Sequence, residues 1–394
     1  VAEPSVDEPI LLVSVSARML AELAVRARYE VTALDRFGDL DLQRLCPSFS
    51  VLRDLGGRGG MAALVDAAQD VSAPSVIYGA GLENHPALVA RLAAGRRLLG
   101  CWPETLERVR DPGVLGGSLR AAGLAYPRTY GAADARQRAE PSRRWLRKPA
   151  RGGGGRGVRE WRGGALGAGV VVQERIAGLV CSAAAVADGR SAVVLGVSEQ
   201  LIGRSSLGAR GFAWCGNVVP PRLGAAQRRE LEVAARAICG HVARAFGVRG
   251  LFGVDVVWDG ERAWVLEVNP RPTASLECVE AAHGIGVFAA HLQGCAGRLP
   301  SIAADRTAPR EPDHAAGKAI LFAARDTRVG DTRGWPARGI RDVPHPGERI
   351  AARRPICTLV SVQESPDAVL ADLAARAAAL RAELGQSAVS RIIS

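Results

Sequence analysis

The chain has 394 residues, 48% of them hydrophobic and 23% charged, with a formal net charge of +11. That length exceeds one ordinary hydrophobic core and predicts two or three domains, while no apolar run approaches the roughly 20 residues that a membrane-spanning helix needs. The arginines are scattered and not interleaved with aromatics as a stacking platform would require, so a nucleic-acid partner is not expected.

The eight cysteines form no CxxC pair and read as small buried hydrophobes of a reducing cytosol. Residues 1–9 are acidic and lack the basic start of a signal peptide, so a cytoplasmic location is expected. Lys148 and Lys318 are the only lysines among 51 basic residues. A lysine kept against such an arginine bias hints that its compact ammonium is wanted.

In chain order, apolar strands over 10–15, 29–34, 49–52, 76–78 and 97–101 alternate with helical stretches. This alternation predicts an open parallel sheet covered on both faces, with ligands at the carboxyl ends of its strands. The loops there carry Ser16, Arg18, Asp35 and Glu83. The first loop lacks GxGxxG, so a dinucleotide site is not expected. A helical segment over 103–122 leads out of this domain.

A strand over 145–149 ends in Lys148-Pro149 and opens onto a glycine loop that includes Gly152, Gly153, Gly154 and Gly155. Glycines let successive backbone N–H groups approach phosphate, and a lysine at the root supplies a point charge. A polyglycine stretch is a flexible linker as often, but this one lies between two strands. The buried strand that follows turns polar at Gln173, Glu174 and Arg175, and the backbone groups of Gln173 to Ile176 suit an adenine edge. Apolar positions at helical spacing predict a packing helix over 225–246.

Two β-rich runs, 251–258 and 263–269, flank Asp259-Gly260-Glu261-Arg262 and read as an antiparallel hairpin. Glu267 and Asn269, two apart, share a face, and Asp255 sits on the partner strand. A two-residue turn at 259–260 pairs Asp255 with Trp264 and scatters these groups. A five-residue turn or a bulge sets Asp255 opposite Glu267, with Cβ atoms about 5 Å apart. Two carboxylates and an amide at that spacing suit Mg²⁺. Residues 300–312 read as a linker, followed by strands over 317–323 and 355–362 and a helix over 368–384, a small third unit.

The Lys-Pro strand, glycine loop, Gln-Glu-Arg-Ile hinge and Gly-Val-Asp…Leu-Glu-Val-Asn-Pro-Arg hairpin, in this order, resemble the ATP-grasp superfamily. More narrowly, Ser16-Ala-Arg18, Asp35-Arg-Phe-Gly-Asp39 and Tyr78-Gly-Ala-Gly-Leu-Glu83 are similar to stretches of its predicted ATP-dependent carboligases, relatives of the tyramine and glutamate ligases of methanofuran biosynthesis. The resemblance implies a mixed α/β and α+β architecture: a Rossmann-like domain over 1–102, an ATP-grasp domain over 103–299 hinged near 173–178, and a linker with a small α+β unit over 300–394. It implies that Lys148 and Gly152 to Gly155 contact the phosphates of ATP, that Gln173 to Ile176 hold adenine, and that Asp255, Glu267 and Asn269 bind Mg²⁺, with Mn²⁺ as a substitute. Arg271 and Lys148 are the implied catalytic cations. Many members carry a second phosphate lysine where this chain reads Arg108-Val-Arg110, so either Arg108 or Arg110 is the candidate replacement there.

The implied activity is a carboxylate-amine ligase acting through an acyl phosphate, in one-carbon cofactor biosynthesis of the methanopterin or methanofuran type. Its partners would be a small carboxylate and an amine, with Ser16, Arg18, Asp35 and Glu83 as substrate-pocket candidates and a homodimer as one option for assembly. Phosphotransfer and bicarbonate-dependent carboxylation are the alternatives, with an arginine-rich nucleic-acid binder the remote one.

Overall fold

The computed structural model describes residues 3–300, 312 and 314–385 of the chain. Near the N-terminus, β1 (Ile10–Val13), β2 (Val31–Asp35), β3 (Ser48–Ser50), β4 (Ser75–Tyr78) and β5 (Arg97–Leu98) form a parallel sheet in the order β3-β2-β1-β4-β5. Every residue of β1 and β4 is buried, as expected of parallel strands covered on both faces. Helices α1 (Arg18–Arg26), α2 (Leu40–Leu45), α3 (Met61–Ala67) and α4 (Pro86–Ala93) supply the cover, and α1 buries Leu20, Ala21, Leu23 and Ala24 at helical spacing. This agrees with the expected doubly covered sheet.

The predicted helix over 103–122 is two helices, α5 (Pro103–Val109) and α6 (Pro112–Ala121). Pro112 offers no N–H to a continuing helix. Asp111 restarts the chain by accepting from the Gly113 and Val114 N–H groups, a side-chain N-cap. The break leaves Arg110 at a corner, free to point away from both helix faces.

The next unit is a four-stranded antiparallel sheet, β6 (Thr129–Gly131), β7 (Trp145–Pro149), β8 (Arg159–Trp161) and β9 (Val170–Glu174), in the order β6-β9-β7-β8. A short helix, α7 (Ala135–Arg138), packs against it through Ala135. Its core is small: Ala135, Trp145 and Val172, with the Tyr130 ring 5.5 Å from Trp145.

An eight-stranded sheet carries the rest. From one edge, β14 (Ala263–Asn269) pairs with β13 (Arg249–Trp258), followed by β10 (Leu179–Asp188), β11 (Ala192–Ile202), β12 (Trp214–Val219) and β15 (Ala315–Phe322). Helix α8 (Ala225–Phe246) buries Leu231, Ala235, Ile238, Cys239 and Val242, and ends where Gly247 takes φ +68°. Helices α9 (Leu276–His283) and α10 (Val287–Cys295) lie on the same chain segment as the exit of β14.

The C-terminal stretch has β16 (Thr327–Arg328), β17 (Ile340–Arg341), β18 (Arg349–Ile350), β19 (Pro355–Gln363) and α11 (Pro366–Glu383). The sequence gives it a unit of its own, but β12 pairs with β15, and β19 and β17 extend the same sheet to its far edge. Its core, including Leu321, Ile356, Leu359, Val369 and Leu373, takes in Leu201, Cys215 and Val218 of the central strands. Most of the expected linker, 301–311, lies outside the described residues. All eight cysteines are free thiols, seven of them buried. No helix among the described residues is long and apolar enough to cross a membrane.

Candidate active site

The hairpin of β13 and β14 closes with Trp258 opposite Ala263 and the Asp259 N–H bonded to the Arg262 carbonyl at 3.2 Å, so Gly260-Glu261 is a two-residue loop. Val257 faces Trp264 and Val256 faces Val265; then the register shifts and Asp255 stands opposite Glu267. Leu266 is the extra residue. Of the alternatives open in the sequence, the bulge is the one realised. It turns Val265 and Val268 into the core on one side and Glu267 and Asn269 to the other. Asn269 pairs with Gly253, so it lies next to the two acids.

Asp255 accepts from Gln200 Nε2 at 2.7 Å and from Asn269 Nδ2 at 3.1 Å. Burial, and then the facing Glu267 charge, push its pKa up to about 7. Glu267 goes the other way. Burial would raise it, yet Arg110 and Lys148 hold it below the ordinary carboxylate value. Arg110, 5% exposed, donates through Nη1 to Glu267 Oε2 at 3.2 Å and to the Val268 carbonyl at 3.0 Å. Its Nη2 donates to Asn84 Oδ1 at 3.0 Å and to the Gly152 carbonyl at 2.7 Å. One cation thus ties the glycine loop to the hairpin.

Lys148, on β7, reaches across to donate to the Leu266 carbonyl at 3.1 Å. That acceptor is the backbone group of the bulged residue. Burial lowers the Lys148 pKa, opposed by Glu267 and reinforced by Arg110. The glycine loop lies against the central unit: the Trp214 N–H donates to the Gly154 carbonyl at 3.2 Å. Gly155 has φ +71°, and a Cβ there would come within 1.8 Å of the Phe212 carbonyl oxygen. Only glycine fits that approach.

Arg271, just past β14, donates through Nε to Glu83 Oε1 at 2.9 Å and approaches Asn269 Oδ1 at 3.5 Å. The Tyr78 hydroxyl donates to the Pro270 carbonyl at 2.8 Å, fastening the parallel sheet to the same corner. Hinge residues are engaged locally. Gln173 Nε2 donates to Thr129 Oγ1 at 3.1 Å, Glu174 is ion-paired with Arg143, and Arg175 donates to Glu160 at 2.7 Å. Ile176 follows in the loop after β9.

The fold therefore brings Lys148, Gly152, Arg110, Asp255, Glu267, Asn269, Arg271 and Glu83 into one connected set. Ser16 is exposed, and the bonds of Arg18 and Asp35 go elsewhere: Asp35 accepts the N–H groups of Ala17, Phe37 and Gly38 at 3.3, 3.0 and 2.8 Å. Gln200 and Asn84 are members that sequence reasoning missed. Their signals were present, Gln200 at the end of the polar run Ser198-Glu199-Gln200 within a buried strand and Asn84 directly after Glu83. Among the described residues no group of three or more His, Cys, Asp or Glu side chains is suited to a metal ion. The facing carboxylates with the Asn269 amide fit a hard cation that takes its remaining oxygens from water and phosphate. Burial and the facing Glu267 charge drive Asp255 upward, and such an ion would offset both.

Comparison with known proteins bears on the fold that carries this site. Residues 115–275 match the ATP-grasp domain family. No curated protein matches the chain. Among solved structures, Rhizobium etli pyruvate carboxylase T882A with acetyl coenzyme-A aligns over 95% of this chain at 17% identity and TM-score 0.69; the aligned part is 37% of that longer protein. The biotin carboxylase domain of Hydrogenobacter thermophilus 2-oxoglutarate carboxylase, in complex with MgADP, ADP and bicarbonate, aligns over 92% of this chain and 87% of its own, at 16% identity and TM-score 0.69. The L-amino acid ligase of Bacillus licheniformis aligns over 94% and 97%, at 15% identity and TM-score 0.67. The chain has an ATP-grasp fold.

Proposed function

We propose that the protein is an ATP- and Mg²⁺-dependent ligase that joins a carboxylate to an amine. The observation that carries this reading is the bulged pairing of Asp255 with Glu267 beside Lys148 and Arg110. Two acids facing each other beside the buried Arg110 and the half-buried Lys148 form a site for a metal-bound polyphosphate, not a hydrolytic triad. A carboxylate oxygen of the first substrate attacks the γ-phosphorus of ATP and ADP leaves. The amine nitrogen of the second attacks the resulting acyl phosphate, losing a proton as phosphate departs.

In this scheme Lys148 and Arg110 fix the phosphate oxygens, and Gly152 to Gly155 close over them and exclude the water that would hydrolyse an acyl phosphate. Asp255, Glu267 and Asn269 would hold Mg²⁺, which neutralises charge on the transferred phosphoryl group when bound. Arg271, oriented by Glu83, steadies the oxyanion. Gln173 to Ile176 line the adenine end through their backbone. The fold likeness to an amino acid ligase supports the amide-forming reading. The likeness to a bicarbonate-bound carboxylase domain supports a second, in which bicarbonate is the carboxylate.

Placement in one-carbon cofactor biosynthesis rests on the sequence resemblance, and placement in the cytoplasm on the cysteine pattern. A screen of ADP release with Mg-ATP against carboxylates and amines, including glutamate, tyrosine and tyramine, tests the proposal. Release that needs both a carboxylate and an amine supports it. Release that needs only bicarbonate selects the second reading, and no release with any pair rejects both.

A further inference from the structure

Away from the nucleotide cleft, the largest group of buried charges lies where the N-terminal and C-terminal parts meet. Arg18, 1% exposed, donates to Asp342 at 3.0 Å, Glu277 at 2.9 Å and Glu22 at 3.0 Å. Lys318, the other lysine of the chain, donates to the same Glu277. Asp41 accepts the N–H groups of Asp342 and Val343, each at 2.9 Å, and its Oδ2 lies 3.9 Å from Arg18 Nε. At the rim, Arg341 offsets Glu22 at 3.3 Å. Arg18 and Lys318 are then left to balance Asp39, Asp41, Glu277 and Asp342.

Asp39 is the unbalanced member. It is 8% exposed, and its Oδ2 is buried with no hydrogen-bond partner among the described residues. It stands at the N-cap position of α2 yet makes no capping hydrogen bond, so the helix does not account for it. The charges around it are Asp342, Asp35, Asp41 and Arg18. Burial and the acids around it favour the protonated form of Asp39, and a cationic donor arriving at Oδ2 would take that proton's place. The cluster is not a metal cage among the described residues; a single ammonium, with its compact charge and three donors, fits better.

The place matters as much as the charge. Asp39 lies in the loop after β2 and Glu83 in the loop after β4, with β1 between them, so two strand spacings of about 10 Å separate the loops. Glu277 follows Arg271 by six positions, a reach of at most about 20 Å. The junction and the Glu83–Arg271 pair are thus two ends of one loop edge. The junction opens to solvent where the Asp342 and Glu22 side chains are 23% and 22% exposed.

We propose that this junction is a subsite for a cationic group of the substrate: an ammonium-bearing molecule docks on Asp39 Oδ2 and extends its reactive end toward Glu83 and Arg271. That the molecule is a substrate rests on the ligase reading; that the junction binds it does not.

The test is calorimetric titration of the full chain, without nucleotide, with 1,5-diaminopentane and with 1,5-pentanediol as its neutral counterpart. The diamine saturates a single site and the diol does not bind. Asp39→Asn weakens the diamine about tenfold or more, the worth of one charge-assisted hydrogen bond. Equal binding of diamine and diol to the native protein, or undiminished diamine affinity in an Asp39→Asn variant of native melting temperature, overturns the subsite. If the variant does not fold, the diamine-versus-diol comparison on the native chain decides. In the ADP-release assay with diamine as the amine, Asp39→Asn raises the diamine KM about tenfold and leaves the ATP KM unchanged. Absence of ADP release with every pair rejects the ligase reading while the calorimetry still decides the subsite.

Discussion

The chain's two lysines stand in two ion networks of opposite character. Lys318 is ion-paired with Glu277, which Arg18 also grips, and the pairs bridge residues 18, 277, 318 and 342 into one joint. Lys148 has no carboxylate of its own: it donates to a backbone carbonyl, and burial lowers its pKa. The first network fastens distant parts of the chain through direct ion pairs, with Asp39 at its margin the member left without a cation. The second ties Arg110 to Glu267 but leaves Lys148 on a backbone carbonyl beside two opposed acids. Buried charge by itself therefore says little about function; what separates the two is which groups hold each lysine, a carboxylate at Lys318 and a backbone carbonyl at Lys148.

Substitutions can break this contrast. Arg18→Met leaves Asp342 and Glu277 without their shared cation, and should cost about 3–5 kcal/mol of stability in urea denaturation. Glu267→Gln should instead lower ADP formation about 10³-fold, with a melting temperature near that of the native chain, since metal neutralisation contributes several kcal/mol to phosphoryl transfer. A Glu267→Gln protein with unchanged turnover would remove the hairpin from the mechanism.

The joint should also have an acid limb. Burial favours protonation of Glu277, but Arg18 and Lys318 hold its pKa at about 2, below the ordinary 4.5. A depressed folded pKa means the contribution is complete above pH 4.5 and is lost as pH falls toward 2. Stability measured across that window should drop by on the order of 3 kcal/mol in the native chain and less in Glu277→Gln. Smallest is Lys148→Met, expected to lower kcat/KM for ATP about 10²-fold, with Lys148→Arg failing to restore it because a planar fork is not a point charge. Rescue by arginine would show that any cation serves at this position.

Much of the cleft was legible because its members are local in sequence. Glu267 and Asn269 share a face by strand periodicity, Asp255 lies on the adjoining strand, and Lys148 sits at the root of its glycine loop. The junction was not legible, since Arg18 meets Asp342 across 324 positions and no spacing rule spans that. Arg18 and Asp35, expected in a substrate pocket, have their polar groups engaged in the joint and in backbone bonds. The corner that points Arg110 inward follows from Pro112 and the Asp111 cap, which were visible but were subordinate to the helical pattern around them. The continuity of the C-terminal strands with the central sheet depends on which edge they join, and apolar pattern alone does not name an edge.

The extra residue at Leu266 makes the hairpin unequal toward insertions and deletions. Removing one residue from 259–262 changes the phase of all of β14 and sends Glu267 toward the core. Removing Leu266 leaves Asp255 facing Glu267 and deletes only the carbonyl that Lys148 uses. A hairpin one residue shorter could still gather the acids. The added residue brings a tether for the opposing sheet, so the length of one strand sets how two halves of the cleft hold each other.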